Sequence, residues 1–138
     1  MGLDEAVTER VVAGIGFRHA TAADEILDLV GHALARQPFL LESLATAADR
    51  ADEPAIRAVA ATLGVPLIGV SAEALIAMDA RVVTRSARIT ATRGVGSVAE
   101  AAALAGAGPG ATLILPRIAS AGATCALALG PKSVTQAP

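Results

Sequence analysis

The chain is nearly devoid of aromatics: Phe17 and Phe39 stand alone, with no Trp and no Tyr. A core built without large flat side chains needs small and branched aliphatics packed at close backbone approach. The 34 Ala residues and a 54% apolar content supply that material. Cysteine is reduced to Cys125, which excludes an internal disulfide and a thiolate metal cluster. Long apolar runs are missing too. The longest uncharged stretches, Ala58–Ala72 and Ala101–Pro116, are broken by Gly and Pro, whereas a spanning helix needs about 20 consecutive apolar residues. No basic and then apolar segment opens the chain, and Ala6 stands where a myristoylation signal wants Ser or Thr. The expectation is a cytoplasmic protein without a membrane partner. An excess of positive charge is missing as well. A net charge of −2 argues against nucleic acid as a partner, because that binding needs a basic surface to displace counterions.

What is present reads as one domain over residues 1–138, with an ordered core over about 10–130. Residues 1–9 are expected to fray, and the tail from Pro131 to be disordered. Val11–Ile15, closed by Gly16, reads as a buried strand. Thr21 is expected to cap a helix carrying Ile26, Leu27, Val30 and Leu34, which runs to about Arg36 and stops at Gln37-Pro38. A weak strand follows at Leu44–Ala47. Asp52 is expected to open a second helix, with Pro54 in its first turn and Gly64 at its end. Pro66–Val70 reads as a strand, and Ser71 as the cap of a third helix. Asp79–Arg93 reads as a loop with one helical turn near Ser86–Thr90. Ser97 caps an Ala-rich helix to about Leu104. Thr112–Leu115 and Ala123–Leu129 read as strands joined by a hairpin loop over Pro116–Gly122. Strands alternating with helices, then two adjacent strands, predict a three-layer α/β/α fold. Its sheet is mixed and mainly parallel, with a C-terminal antiparallel hairpin.

Several groups could carry chemistry. Gly14-Ile15-Gly16 lies between a strand and a helix, but His19 stands where GxGxxG needs its third Gly, so no dinucleotide fingerprint is met. What survives is a Gly-rich turn next to a helix start, suited either to backbone contact with a ligand or to a tight turn alone. Arg18 and His19 follow at the strand's carboxyl end, where open α/β sheets bind ligands. Asp49-Arg50-Ala51-Asp52-Glu53 is the densest charge cluster. It is either a solvated helix entrance or an anion contact at Arg50 beside a polar or catalytic Asp52 or Glu53. Ten of the eleven basic residues are Arg, the side chain that pairs carboxylates in bidentate fashion. A GC-rich coding sequence would also produce that bias. The two histidines, without helical spacing or thiolates, predict no metal site, and no cofactor is expected.

Five ordered motifs carry a resemblance. They are Gly14-Ile15-Gly16-Phe17-Arg18 with Thr21; Ala51-Asp52-Glu53-Pro54; Ser71-Ala72-Glu73-Ala74-Leu75; Gly94-Val95-Gly96-Ser97 through Leu104; and Leu115-Pro116-Arg117. Together they resemble the family formed by CobE and the C-terminal domain of CbiG, of cobalamin (vitamin B12) biosynthesis, over about Val11 to Leu129. The chain departs from the family pattern at Phe17, where Cys is frequent, at Arg50 and Arg117, where Lys is frequent, and at Ala119, where a second Lys is frequent. The resemblance implies a tetrapyrrole-derived ligand, a precorrin or corrin ringed by carboxylates. CbiG-type proteins open a cobalt-precorrin lactone and release acetaldehyde, but they carry a further N-terminal domain, so the chain looks like the stand-alone CobE type. Substrate contacts are then expected from Gly14, Gly16, Arg18, Arg50, Asp52, Ser71, Gly94, Gly96 and Arg117. The Gly94–Gly96 loop would close against the first turn. The first alternative to a binding protein is a hydrolase in which Glu53 or Glu100 activates water. The second is a non-enzymatic domain whose partner is protein, other cobalamin-pathway enzymes included.

Overall fold

The structure, a computed structural model, describes residues 9–131. The expected disorder at both ends falls, apart from Glu9 and Pro131, outside those residues. Five strands form one sheet: β1 (Arg10–Phe17), β2 (Leu40–Ala47), β3 (Leu67–Val70), β4 (Thr112–Ala119) and β5 (Ala123–Leu129). Their order is β3-β2-β1-β5-β4. β1 pairs with β2, and β2 with β3, in parallel; β5 runs antiparallel to both β1 and β4. Four strands therefore point one way and β5 alone points back, which is the expected mixed sheet with a terminal hairpin.

Alternation along β1 divides the core. Val11, Ala13 and Ile15 pack with α1 (Ala23–Leu34) and α2 (Pro54–Leu63) on one face. Val12 faces the other side, where α3 (Ala72–Ala77), α4 (Ala87–Arg93) and α5 (Val98–Ala107) follow β3 in the chain. α5 is the buried helix of this layer: Ala99 and Ala101 to Leu104 have at most 1% exposure. Its small side chains let it lie directly on β1. A Cβ at Gly14 would fall 1.9 Å from the Ala99 carbonyl oxygen and 2.5 Å from the Ala103 nitrogen, so only glycine fits there.

Several expected boundaries shift, each for a local reason. Ala22, not Thr21, occupies the cap position of α1 and offers no side-chain bond. The Thr21 hydroxyl instead donates to the Gly122 carbonyl. β2 begins at Leu40 rather than Leu44. Leu41 pairs with Val11 but Ser43 with Val12, so Glu42 is bulged and breaks the period-two pattern. Glu53 rather than Asp52 precedes α2, behind a short 3-10 turn at Ala48–Arg50. The loop expected at 79–93 holds a 3-10 turn and the seven-residue α4, capped by Ser86 and closed by Gly94 at φ 75°. β4 runs on to Ala119, well into the expected loop, because two register shifts hide its alternation. Ser71 and Ser97 do cap α3 and α5, accepting from Ala74 N–H and Glu100 N–H.

Candidate functional site

Chain order reverses beside β1. β2 and β3 build outward on one side of it, β5 and β4 on the other. In open α/β sheets such a switch, at the carboxyl ends of the strands, leaves a crevice. A cleft of about 740 Å3 lies there. Its walls come from the end of β1, from Thr46 to Arg50 after β2, from α4, from the start of α5 and from the β4–β5 hairpin.

Every charged residue in that lining is an arginine: Arg18, Arg50, Arg88, Arg93 and Arg117. Half of the chain's ten arginines thus converge on one cleft, a placement that composition bias does not produce. They fall into two groups. Arg50 Nη1 lies 2.8 Å from Glu53 Oε2, and its guanidinium sits 5.6 Å over the Phe17 ring. Arg93 Nη1 pairs with Asp49 Oδ1 at 2.9 Å. Among the described residues the guanidinium groups of Arg18, Arg88 and Arg117 make no hydrogen bond or ion pair. These three are available to an incoming anion, while Arg50 and Arg93 are oriented in advance. The lining hydroxyls are engaged locally: Thr46 donates to Ile15 O at 2.7 Å and Thr124 to Gly16 O at 3.3 Å.

His19 stands at the rim, with Nδ1 3.1 Å from Glu53 Oε2 and 3.0 Å from Arg50 Nη1. One nitrogen cannot serve both: it donates to Glu53 when it carries a proton and accepts from Arg50 when it does not. Among the described residues no three His, Cys, Asp or Glu side chains converge to hold a metal ion. Cys125 lies in the buried face of β5, and burial pushes its thiol up to about 12, which keeps it protonated and unreactive.

Of the sequence-predicted contacts, Gly16, Arg18, Arg50 and Arg117 line the cleft. Gly14, Asp52, Ser71, Gly94 and Gly96 do not. Gly14 supports α5, and Ser71 caps α3. The Gly94–Gly96 loop does not close against the first turn. Gly96 N–H donates to Asp79 Oδ1 at 2.9 Å, and Gly96 O accepts from Ser86 N–H. Glu100, expected to activate water, is fully buried and absent from the lining. Its Oε1 accepts from Val83 N–H at 2.6 Å and Thr84 N–H at 3.0 Å, and its Oε2 from Arg117 N–H at 2.9 Å. Burial pushes its carboxyl upward, but those backbone donors, with the Thr84 side chain, outweigh burial and hold it below its ordinary range. A carboxylate so satisfied is a poor base. Arg88, Arg93 and Ser86 belong to the cleft but not to the expected set, because their segment reads as a loop until α4 places it.

The chain matches the model of the family described as Cobalamin synthesis G C-terminus over residues 11–128. It is 41% identical over 127 residues to Protein CobE of Sinorhizobium sp, covering 90% of this chain and 82% of that one. The crystal structure of CobE, a protein from the cobalamin (vitamin B12) biosynthetic pathway, superposes with a TM-score of 0.82 at 31% identity, covering 89% of this chain and 92% of the other. Cobalamin biosynthesis protein chiG from Agrobacterium tumefaciens str. C58 does so with a TM-score of 0.71 at 35% identity, covering 88% of this chain and 99% of the other. With the family model matched over nearly all of the described residues and the fold shared with CobE, the chain belongs to the Cobalamin synthesis G C-terminus family, as a cobalamin biosynthesis protein of the CobE/CbiG type.

Proposed function

We propose that the chain binds a precorrin or corrin intermediate in the arginine-lined cleft, as a binding or carrier protein. The observation that supports this reading is the all-cationic lining: five arginines, three of them unpaired, and no carboxylate. A tetrapyrrole-derived macrocycle presents carboxylates around its rim and an apolar ring system within. Guanidinium forks match the first. Phe17, Ile89, Val98 and Ala119 in the same lining match the second.

The hydrolase reading rests on Glu53, next to His19. Glu53 Oε2 is engaged by Arg50 at 2.8 Å and by His19 at 3.1 Å, and Glu53 is absent from the cleft lining, which suits orienting Arg50 better than activating water. Binding without turnover is therefore the reading favoured here.

The test is a visible-absorbance titration with cobyrinic acid, a corrin with free peripheral carboxylates, against its fully esterified form. With no Trp or Tyr in the chain, absorbance bands above the peptide region belong to the ligand. A saturable shift with the acid that the ester does not give is expected. Equal binding of both forms, or no shift with the acid, overturns the proposal. Turnover of a precorrin by the isolated chain would establish the hydrolase instead.

A further inference from the structure

β4 is not a regular strand where it carries Arg117. Leu115 pairs with Leu127 and Ile118 with Cys125, so Pro116 and Arg117 together stand against Ala126 alone. Such a bulge re-aims side chains and leaves backbone groups out of the ladder. Here the Arg117 N–H turns to the α5 side of the sheet and donates to Glu100 Oε2 at 2.9 Å. The neighbouring Ile118 packs in the core formed with α1 and α2, while Arg117 lines the cleft. Glu100 Oε1 meanwhile accepts from Val83 and Thr84, just before the cap of α4. One buried carboxylate thus ties two cleft walls together. The hairpin is gripped again at its tip: Glu25 Oε2 accepts from Gly122 N–H at 2.6 Å and from the Ser120 hydroxyl.

The geometry points to Glu100, with Glu25 at the hairpin tip, as a positioning residue that sets Arg117 in the cleft for an anionic ligand. This rests on the binding reading above. Glu100 is not a base in this scheme. Its two oxygens divide the work, so an amide replacement loses one side whichever way it lies: its NH2 must face either the Arg117 N–H or the pair from Val83 and Thr84.

The experiment is a double-variant cycle on the full chain with cobyrinic acid as the probe, joined to amide hydrogen exchange without ligand. Arg117→Ala is expected to weaken binding roughly tenfold or more. Glu100→Gln should weaken it by a comparable factor, and the double variant should be no worse than Arg117→Ala within about twofold. In the unliganded protein, Glu100→Gln should speed exchange at the Arg117 amide and leave the β1 and β5 amides protected. Losses that multiply in the double variant, or parent-like affinity and exchange in Glu100→Gln, overturn the inference. Should Glu100→Gln not fold, Glu25→Ala carries the same cycle, with Glu25→Gln expected to restore part of the loss because its amide oxygen can still accept. If the parent itself fails to bind cobyrinic acid, the binding reading falls. The exchange arm then still decides whether Glu100 holds the Arg117 backbone.

Discussion

Gly14 and Ala99 sit in direct backbone contact: a Cβ on Gly14 would stand 1.9 Å from the Ala99 carbonyl oxygen. That contact fixes the depth at which α5 lies on β1. α5 in turn carries Val98, next to its cap Ser97 in the cleft, and the buried Glu100. A motif that reads as a ligand loop is at this position a packing device.

Gly14→Ala should therefore cost about 3 kcal/mol or more, since neither backbone atom can give way. Gly16→Ala is the contrast. Its Cβ would meet the Thr124 hydroxyl at 2.7 Å, a side-chain tip that can rotate. Denaturant unfolding of the two variants should show a much smaller loss for Gly16→Ala. Equal losses would mean that α5 yields and that the contact does not set its position.

Arg50→Ala and Arg117→Ala should each weaken cobyrinic acid binding roughly 10- to 100-fold, the value of a charge-assisted pair. Arg→Lys at either site should lose less, because charge survives and only the fork is lost. The losses should shrink with added salt where the pairs are exposed. Arg36, exposed just beyond α1, is the control and should change nothing. Titrations at two salt concentrations check all three statements.

Arg88→Ala should weaken binding as Arg117→Ala does, although only the structure brings it to the cleft. It is exposed, is carried on α4 and has no acidic partner among the described residues. Its removal should leave stability within about 0.5 kcal/mol. Thermal unfolding alongside the titration separates the two effects. Parent-like affinity would take α4 out of the binding surface.

Acid should destabilise the protein through its satisfied carboxylates. Glu100, Glu25 and Asp79 are all held below their ordinary values, chiefly by hydrogen bonds. A carboxyl depressed in the folded state contributes stability above its unfolded value and loses it as pH falls through the folded one. Unfolding free energy should therefore be flat near neutrality and decline below about 4.5, the ordinary value for Glu. Glu100→Gln should start lower at neutral pH and decline less steeply. An unchanged slope in that variant would place the acid sensitivity elsewhere.

By itself, the sequence determined the α/β class, the terminal hairpin and the family, and it named four residues that line the cleft. Those readings depend on neighbours in the chain: apolar runs, caps such as Ser71 and Ser97, and motifs whose order survives substitution. Tertiary structure alone decided what each glycine and carboxylate does. Gly14 and Gly16 differ by two positions, and both face the α5 side of the sheet, yet only the crossing point of α5 puts one under a helix and the other in the cleft. Glu53 and Glu100 are alike as letters. One meets Arg50 and His19 at a rim, while the other meets three N–H groups brought from two remote segments. The bulge at Pro116 and Arg117 has the same origin. A register shift is a relation between two strands, so no periodicity within β4 could reveal it, and it is what turns Arg117 toward the cleft.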